Sequence, residues 1–122
     1  MRRVDPIAEF LNRYVAVWNE GDAERRRQLA ERACTDDAVF VNALARRAGI
    51  VEIASHVSRS HDEFVARGGH RFRAVAYLAH HDGILFDWEM GANNAAAVSA
   101  GTNYLLRGVD RRIRLDHQSL RR

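Results

Sequence analysis

The chain has 122 residues, 47% of them hydrophobic and 29% charged, with a formal net charge of +3 at pH 7. That length predicts one domain spanning 1–122 with enough apolar residues for a core, and the composition excludes a disordered chain. All 19 basic residues are arginine, which excludes a lysine Schiff base, and with it pyridoxal-phosphate and class I aldolase chemistry, and also excludes a Walker phosphate loop.

The opening "MRRVDPIAEF" turns acidic and polar where a signal peptide would be apolar, and no run approaches the roughly 20 apolar residues of a membrane span. The expectation is a soluble, cytoplasmic protein with no membrane partner. Asp5-Pro6 is a helix start, a capping carboxylate followed by proline at the first helical position. Ile7, Phe10, Leu11, Tyr14, Val15 and Trp18 follow as an amphipathic stripe that ends at "NEGD". Asp22 caps a second helix with Leu29, Ala30 and Ala33 inward, and Asp36-Asp37 is expected to break it. Its "ERRRQ" reads as a solvated face. The arginines of the chain are scattered among acids, so nucleic acid is not an expected partner. Cys34, the single cysteine, rules out an internal disulfide and a multi-cysteine zinc site and reads as a small core residue.

Residues 39–41 make a short buried strand that ends on Asn42. Gly49 opens a third helix whose stripe is Ile50, Ile53, Ala54, Val57, His61 and Phe64, and "RGGH" ends it. The period then switches to two. Strands are expected over 72–79, 84–90, 96–106 and 112–120, with a hairpin turn at Asp82-Gly83. In "VDRRI", Arg111 stands where such a turn favours glycine. His56 and His61 do not share a helix face, and His80-His81 point to opposite faces of a strand, so no metal site is expected. The order helix, helix, strand, helix, four-strand meander gives an α+β fold: a curved antiparallel sheet with helices across one face, enclosing a cone-shaped pocket.

"RYVAVWNEGD", "TDDAVFVN", the glycine-initiated helix, "HHDGILFDWEM" and "RIRLDHQSL" together resemble the nuclear transport factor 2-like superfamily, in its SnoaL-like branch, which includes polyketide cyclases. The first helix is also similar to that of ketosteroid isomerase. The resemblance covers nearly the whole chain. It implies a cystatin-like cone, a homodimer, and cofactor-free acid/base chemistry of the isomerase or cyclase type on a small apolar carbonyl or polyketide-like molecule. The superfamily also contains non-catalytic binding modules, so fold alone does not give function. A ligand-binding or dimerisation module therefore stands as an alternative, as does a catalyst engineered on this scaffold.

The resemblance assigns candidates residue by residue. Tyr14 matches the isomerase tyrosine that donates to a developing oxyanion; otherwise it belongs to the apolar stripe. Asn42 falls where the isomerase has its base, and an amide cannot accept that proton, so Asn42 either orients substrate or ends the strand. Asn103 falls where the isomerase has a second, hydrogen-bond-donating acid. Asp116 lies inside a strand, where aspartate is disfavoured without a reason. Polyketide cyclases of this type use a late aspartate as acid/base, and a carboxyl in an apolar cone has a raised pKa; the plain alternative is a surface pair with Arg112 or Arg114. His56 either pairs with Asp116 or Asp87 as an orienter or second acid/base, or is a half-exposed histidine at the flank of its stripe. Trp18, Trp88, Gln118, Val57 and Phe40 complete the expected pocket. Asp87 enters only if the strand register is reversed.

Overall fold

A computed structural model describes residues 5–121. Helix α1 covers Pro6–Asn19, and the Asp5 carboxylate accepts from the amides of Ile7 and Ala8, as a capping side chain should. Its stripe is buried: Phe10, Leu11, Tyr14, Val15, Val17 and Trp18 all face the core. Helix α2, Ala23–Ala33, starts on the Asp22 cap. Helix α3, Ile50–Ser60, begins after Gly49, whose φ of 88° suits glycine. A wider π-type turn, His61–Ala66, prolongs it. There His61 is buried and its Nδ1 lies 2.9 Å from the carbonyl of Trp18. A carbonyl only accepts, so Nδ1 carries the proton and ties the third helix to the first.

Six strands follow the order β2-β1-β6-β5-β4-β3: β1 Cys34–Val41, β2 Arg46–Ala48, β3 Arg71–His80, β4 Gly83–Gly91, β5 Ser99–Arg107 and β6 Ile113–Arg121. The curved sheet and the helices on its inner face are as expected. The sheet is mixed, however, because β1 runs parallel to β6 while the other pairs are antiparallel. Strands far apart in sequence meet here, and no local pattern reveals their relative direction. The short strand β2 had no sequence signal of its own. Asp36 and Asp37 do not break a helix. Helix α2 stops at Ala33, and the two acids sit exposed within β1 where its register with β6 slips between Cys34 and Val39.

The hairpin between β3 and β4 turns one residue earlier than expected. His81 takes the positive φ, 52°, and Gly83 is the first residue of β4. Two side chains seal the C-terminal end of α1. Asn19 exchanges two 2.8 Å hydrogen bonds with the Phe72 backbone, which docks the helix on β3. Arg26 is buried and donates to the carbonyls of Glu20 and Gly21 and to the Ser58 hydroxyl. Only its neighbours Arg25 and Arg27 behave as a solvated face, paired with Glu20, Glu24 and Glu31.

On β4 the residues Ile84, Phe86, Trp88 and Met90 point inward. Asp87 points away and accepts from the Thr102 hydroxyl at 2.7 Å. The register is thus the one in which Asp116, not Asp87, enters the core.

Candidate functional site

Four elements bring four polar side chains to one buried point. Tyr14 comes from α1, Trp88 from β4, Asn103 from β5 and Asp116 from β6. Asn103 is 1% exposed and Asp116 5%. The Trp88 Nε1–H donates to Asn103 Oδ1 at 2.7 Å. An indole nitrogen can only donate, so this contact fixes the amide: its oxygen faces Trp88 and its Nδ2 faces the other way. Asn103 Nδ2 donates to Asp116 Oδ1 at 2.7 Å and lies 3.3 Å from the Tyr14 hydroxyl. Tyr14 donates to Asp116 Oδ2. Both carboxylate oxygens are thereby satisfied by neutral donors. No cation pairs with Asp116 among the described residues: Arg112 is held by Asp110 at 2.6 Å, and Arg114 is exposed.

That setting decides the electrostatics. Burial pushes the Asp116 carboxyl up to about 7; the hydrogen bonds from Tyr14 and Asn103 stabilise the ionised form and hold back a larger rise. Burial, then the Asp116 charge, pushes the Tyr14 phenol well above its ordinary value, so it stays protonated at neutral pH. Burial also pushes the Cys34 thiol up to about 12, again with help from Asp116, leaving it an inert core residue.

Next to this cluster lies a cavity of about 610 Å³. Apolar side chains dominate its wall, among them Trp18, Phe64, Phe72, Phe86, Trp88 and Met90. Tyr14, Asn103, Asn42, Gln118 and His56 supply polar atoms. Asp116 is absent from the wall: it stands behind Tyr14 and Asn103. Val57 and Phe40 are likewise buried in the core without lining the cavity. Tyr14 is seated by an edge contact with the Phe86 ring at 5.5 Å and a tilted one with Trp18 at 6.2 Å.

Asn42 does end its strand. Its Oδ1 accepts from the amides of Leu44 and Ala45 at 3.0 and 2.9 Å, while its Nδ2 reaches Gln118 Oε1 at 3.2 Å on the cavity wall. His56 forms no hydrogen bond with Asp116 or Asp87 among the described residues. Its ring packs instead on Phe40 at 4.8 Å and Trp18 at 6.0 Å, because α3 presents it to the aromatic wall rather than to the end of β6. Burial, with Arg47 and Arg59 nearby, lowers its pKa, so it is neutral at pH 7. Phe64, Phe72, Phe86 and Met90 were not singled out as pocket residues. The period-two stripe that marked Trp88 as inward also contains Phe86 and Met90, and was the signal available for them. Among the described residues, no group of three or more His, Cys, Asp or Glu side chains could hold a metal.

No protein-family model matches the chain, and no curated protein does. Solved structures do. A candidate isomerase of the SnoaL-like family from Agrobacterium tumefaciens str. C58 is 26% identical, with 93% of this chain and 96% of that chain covered at a TM-score of 0.84. A candidate polyketide cyclase from Sinorhizobium meliloti is 16% identical over 90% of this chain and 93% of that one, at 0.67. A candidate ketosteroid isomerase from Kribbella flavida DSM 17836 is 13% identical over 94% and 77%, also at 0.67. The last two speak for the fold alone. The chain thus has the nuclear transport factor 2-like fold and resembles the SnoaL-like branch along almost its whole length.

Proposed function

For a chain of this fold and resemblance, we propose a cofactor-free acid/base catalyst of the isomerase or cyclase type, acting on a small, largely apolar carbonyl compound. The observation that carries this reading is the neutral-donor cage around Asp116. A carboxyl that titrates near 7 with no cation beside it is poised to hold or release a proton at physiological pH. The apolar wall suits an apolar substrate.

Asp116 acts through Tyr14. With Asp116 ionised, the phenol proton is committed to the carboxylate. With Asp116 protonated, the carboxyl O–H donates to the phenol oxygen, and the phenol proton is free to turn into the cavity. There it meets a substrate carbonyl oxygen and stabilises the negative charge that grows on enolisation. Neutral His56, on the same cavity wall and with its ring 6.0 Å from Trp18, is the base for the α-proton; returning that proton to another carbon completes an isomerisation. Pairs of groups whose surroundings push their pKa values past one another are the pattern expected of an acid and a base. Gln118 and Asn42 orient the substrate. In this reading Asp116 is a positioning and proton-holding residue, and Tyr14 is the group that touches substrate.

The test follows exchange of α-protons for deuterium in a panel of cyclic enones and ketones, by proton NMR in heavy water. This reads proton abstraction whatever the product. Exchange that falls by about a hundredfold in Tyr14→Phe, and that no longer declines above pH 7 in Asp116→Asn, whose amide N–H can donate to the phenol oxygen as the protonated carboxyl does, supports the proposal. Wild-type rates equal to buffer across the panel, a Tyr14→Phe variant as fast as wild type, or an Asp116→Asn variant that keeps the alkaline decline would sink it. A second reading, a non-catalytic binder of the same apolar molecules, is favoured by the absence of Asp116 from the cavity wall; binding without exchange would select it. A cytoplasmic location belongs to the proposal too.

A further inference from the structure

A second cavity, of about 640 Å³, lies along the first half of α1, between α2 and the turn joining β5 to β6. Tyr14 is the one residue that lines both cavities. Here the wall carries five arginines, Arg13, Arg32, Arg107, Arg111 and Arg112, against one acid, Asp110. That acid is already taken: Asp110 pairs with Arg112 Nε at 2.6 Å, and Arg112 spends further donors on the carbonyls of Glu31 and Cys34. The other four arginines form no ion pair among the described residues. The residues outside that set, 1–4 and 122, add more arginine and no acidic side chain.

Arg107 is the centre of the imbalance. It is 8% exposed, so more than nine-tenths buried, and its Nε has no hydrogen-bond partner among the described residues. Its guanidinium carbon sits 4.9 Å from the centre of the Phe10 ring, another wall residue. Of the charges that act on it, the repulsion from Arg111 outweighs the attraction of Asp82. A buried guanidinium with an idle donor is costly unless an anion completes it. Arg111 adds to the case. It holds a φ of 65°, a conformation that glycine adopts far more readily, while its side chain lines the cavity. A glycine would relax the turn but remove the charge.

We propose that this cavity is a binding site for an organic anion, with a carboxylate or phosphate head on Arg107 and its neighbouring guanidinium groups and an apolar body against Ile7, Phe10 and Leu29. The planar fork of arginine matches either head group in paired hydrogen bonds. The site adjoins the Asp116 chemistry only through Tyr14, whose hydroxyl is bonded to Asp116, and the proposal stands or falls without that chemistry.

Isothermal titration of the full chain with butyl phosphate, hexanoate and inorganic phosphate tests the proposal. Arg107→Met keeps an unbranched stem over Phe10 and removes the charge; Arg111→Gly removes a second charge from a turn that tolerates glycine. The expected result is saturable binding of butyl phosphate or hexanoate at millimolar or lower concentration, weakened by added chloride. Affinity should fall at least tenfold in Arg107→Met and several-fold in Arg111→Gly, with circular dichroism unchanged. The stronger of the two organic probes identifies the head group, and weaker binding of inorganic phosphate than of butyl phosphate supports the apolar body. Wild-type protein that binds none of the three, or folded variants that bind as tightly as wild type, would overturn it.

Discussion

The Asp116 carboxyl is buried between two neutral donors, Tyr14 and Asn103, and pairs with no cation among the described residues. Its position inside a strand, where aspartate is unfavourable, marked it as purposeful. What the sequence could not reveal is that Tyr14 and Asn103 stand between it and the cavity, since depth behind a wall depends on how α1 packs across β5 and β6. His56 illustrates the converse: its expected carboxylate partners lie elsewhere, and aromatic rings surround it. The pKa directions lead to two predictions. Asp116 titrates at about 7 folded against an ordinary 3.8, so its favourable contribution is complete below the lower value and is lost as pH rises through the higher one. Chemical denaturation should show wild type losing stability relative to Asp116→Asn as pH rises from about 4 to about 7, the difference between the two changing by up to about 1.4 kcal/mol per pH unit, and then levelling off. The proton-exchange rate should follow a bell in pH. Its alkaline limb lies near 7, where Asp116 loses its proton, and its acid limb lies below the ordinary imidazole value, where His56 gains one. An alkaline limb near 10 would assign the acid to another group.

At the scale of elements, the alternation along β4 was enough to predict which residues face inward, and α1 was readable from its cap and stripe because both signals are local. The pairing of β1 with β6 was not readable, and neither was the seat of Trp88. That seat is Gly101, its cross-strand partner on β5. A methyl group at Gly101 would lie 2.4 Å from the Trp88 ring and 2.7 Å from the Ser119 carbonyl, and the backbone carbonyl has little room to move. Gly101→Ala should therefore push the indole off Asn103, free the amide to rotate, and disturb the carboxyl behind it. The expected cost is about 1–3 kcal/mol of stability, together with a loss of exchange activity larger than dilution by unfolded protein explains. Equal activity per folded molecule would mean that the Trp88–Asn103 contact does not orient the site.

Among the described residues, no element covers the outer face of the sheet. Leu78, Leu85, Tyr104 and His117 stand in register across β3, β4, β5 and β6, and Leu78, Leu85 and Tyr104 are 65%, 43% and 40% exposed. We propose that this face meets a second copy of the chain, as the resemblance implied. Light scattering should then give twice the 13.9 kDa chain mass, and Leu85→Glu should return it to the single value. A wild-type monomer at working concentration would refute the pairing. The fold was legible at this scale because cap, stripe and period switch all agreed. The site was legible only through the family frame, since four residues 102 positions apart at the extremes meet in space alone. What joins the three scales is the charge state of one buried group. The most direct measurement is the carboxyl carbon shift of Asp116 followed by NMR as pH is varied. The expected midpoint is near 7, moving higher in Tyr14→Phe because the ionised form loses a donor. A midpoint in the ordinary range of aspartate, near 4, would contradict it.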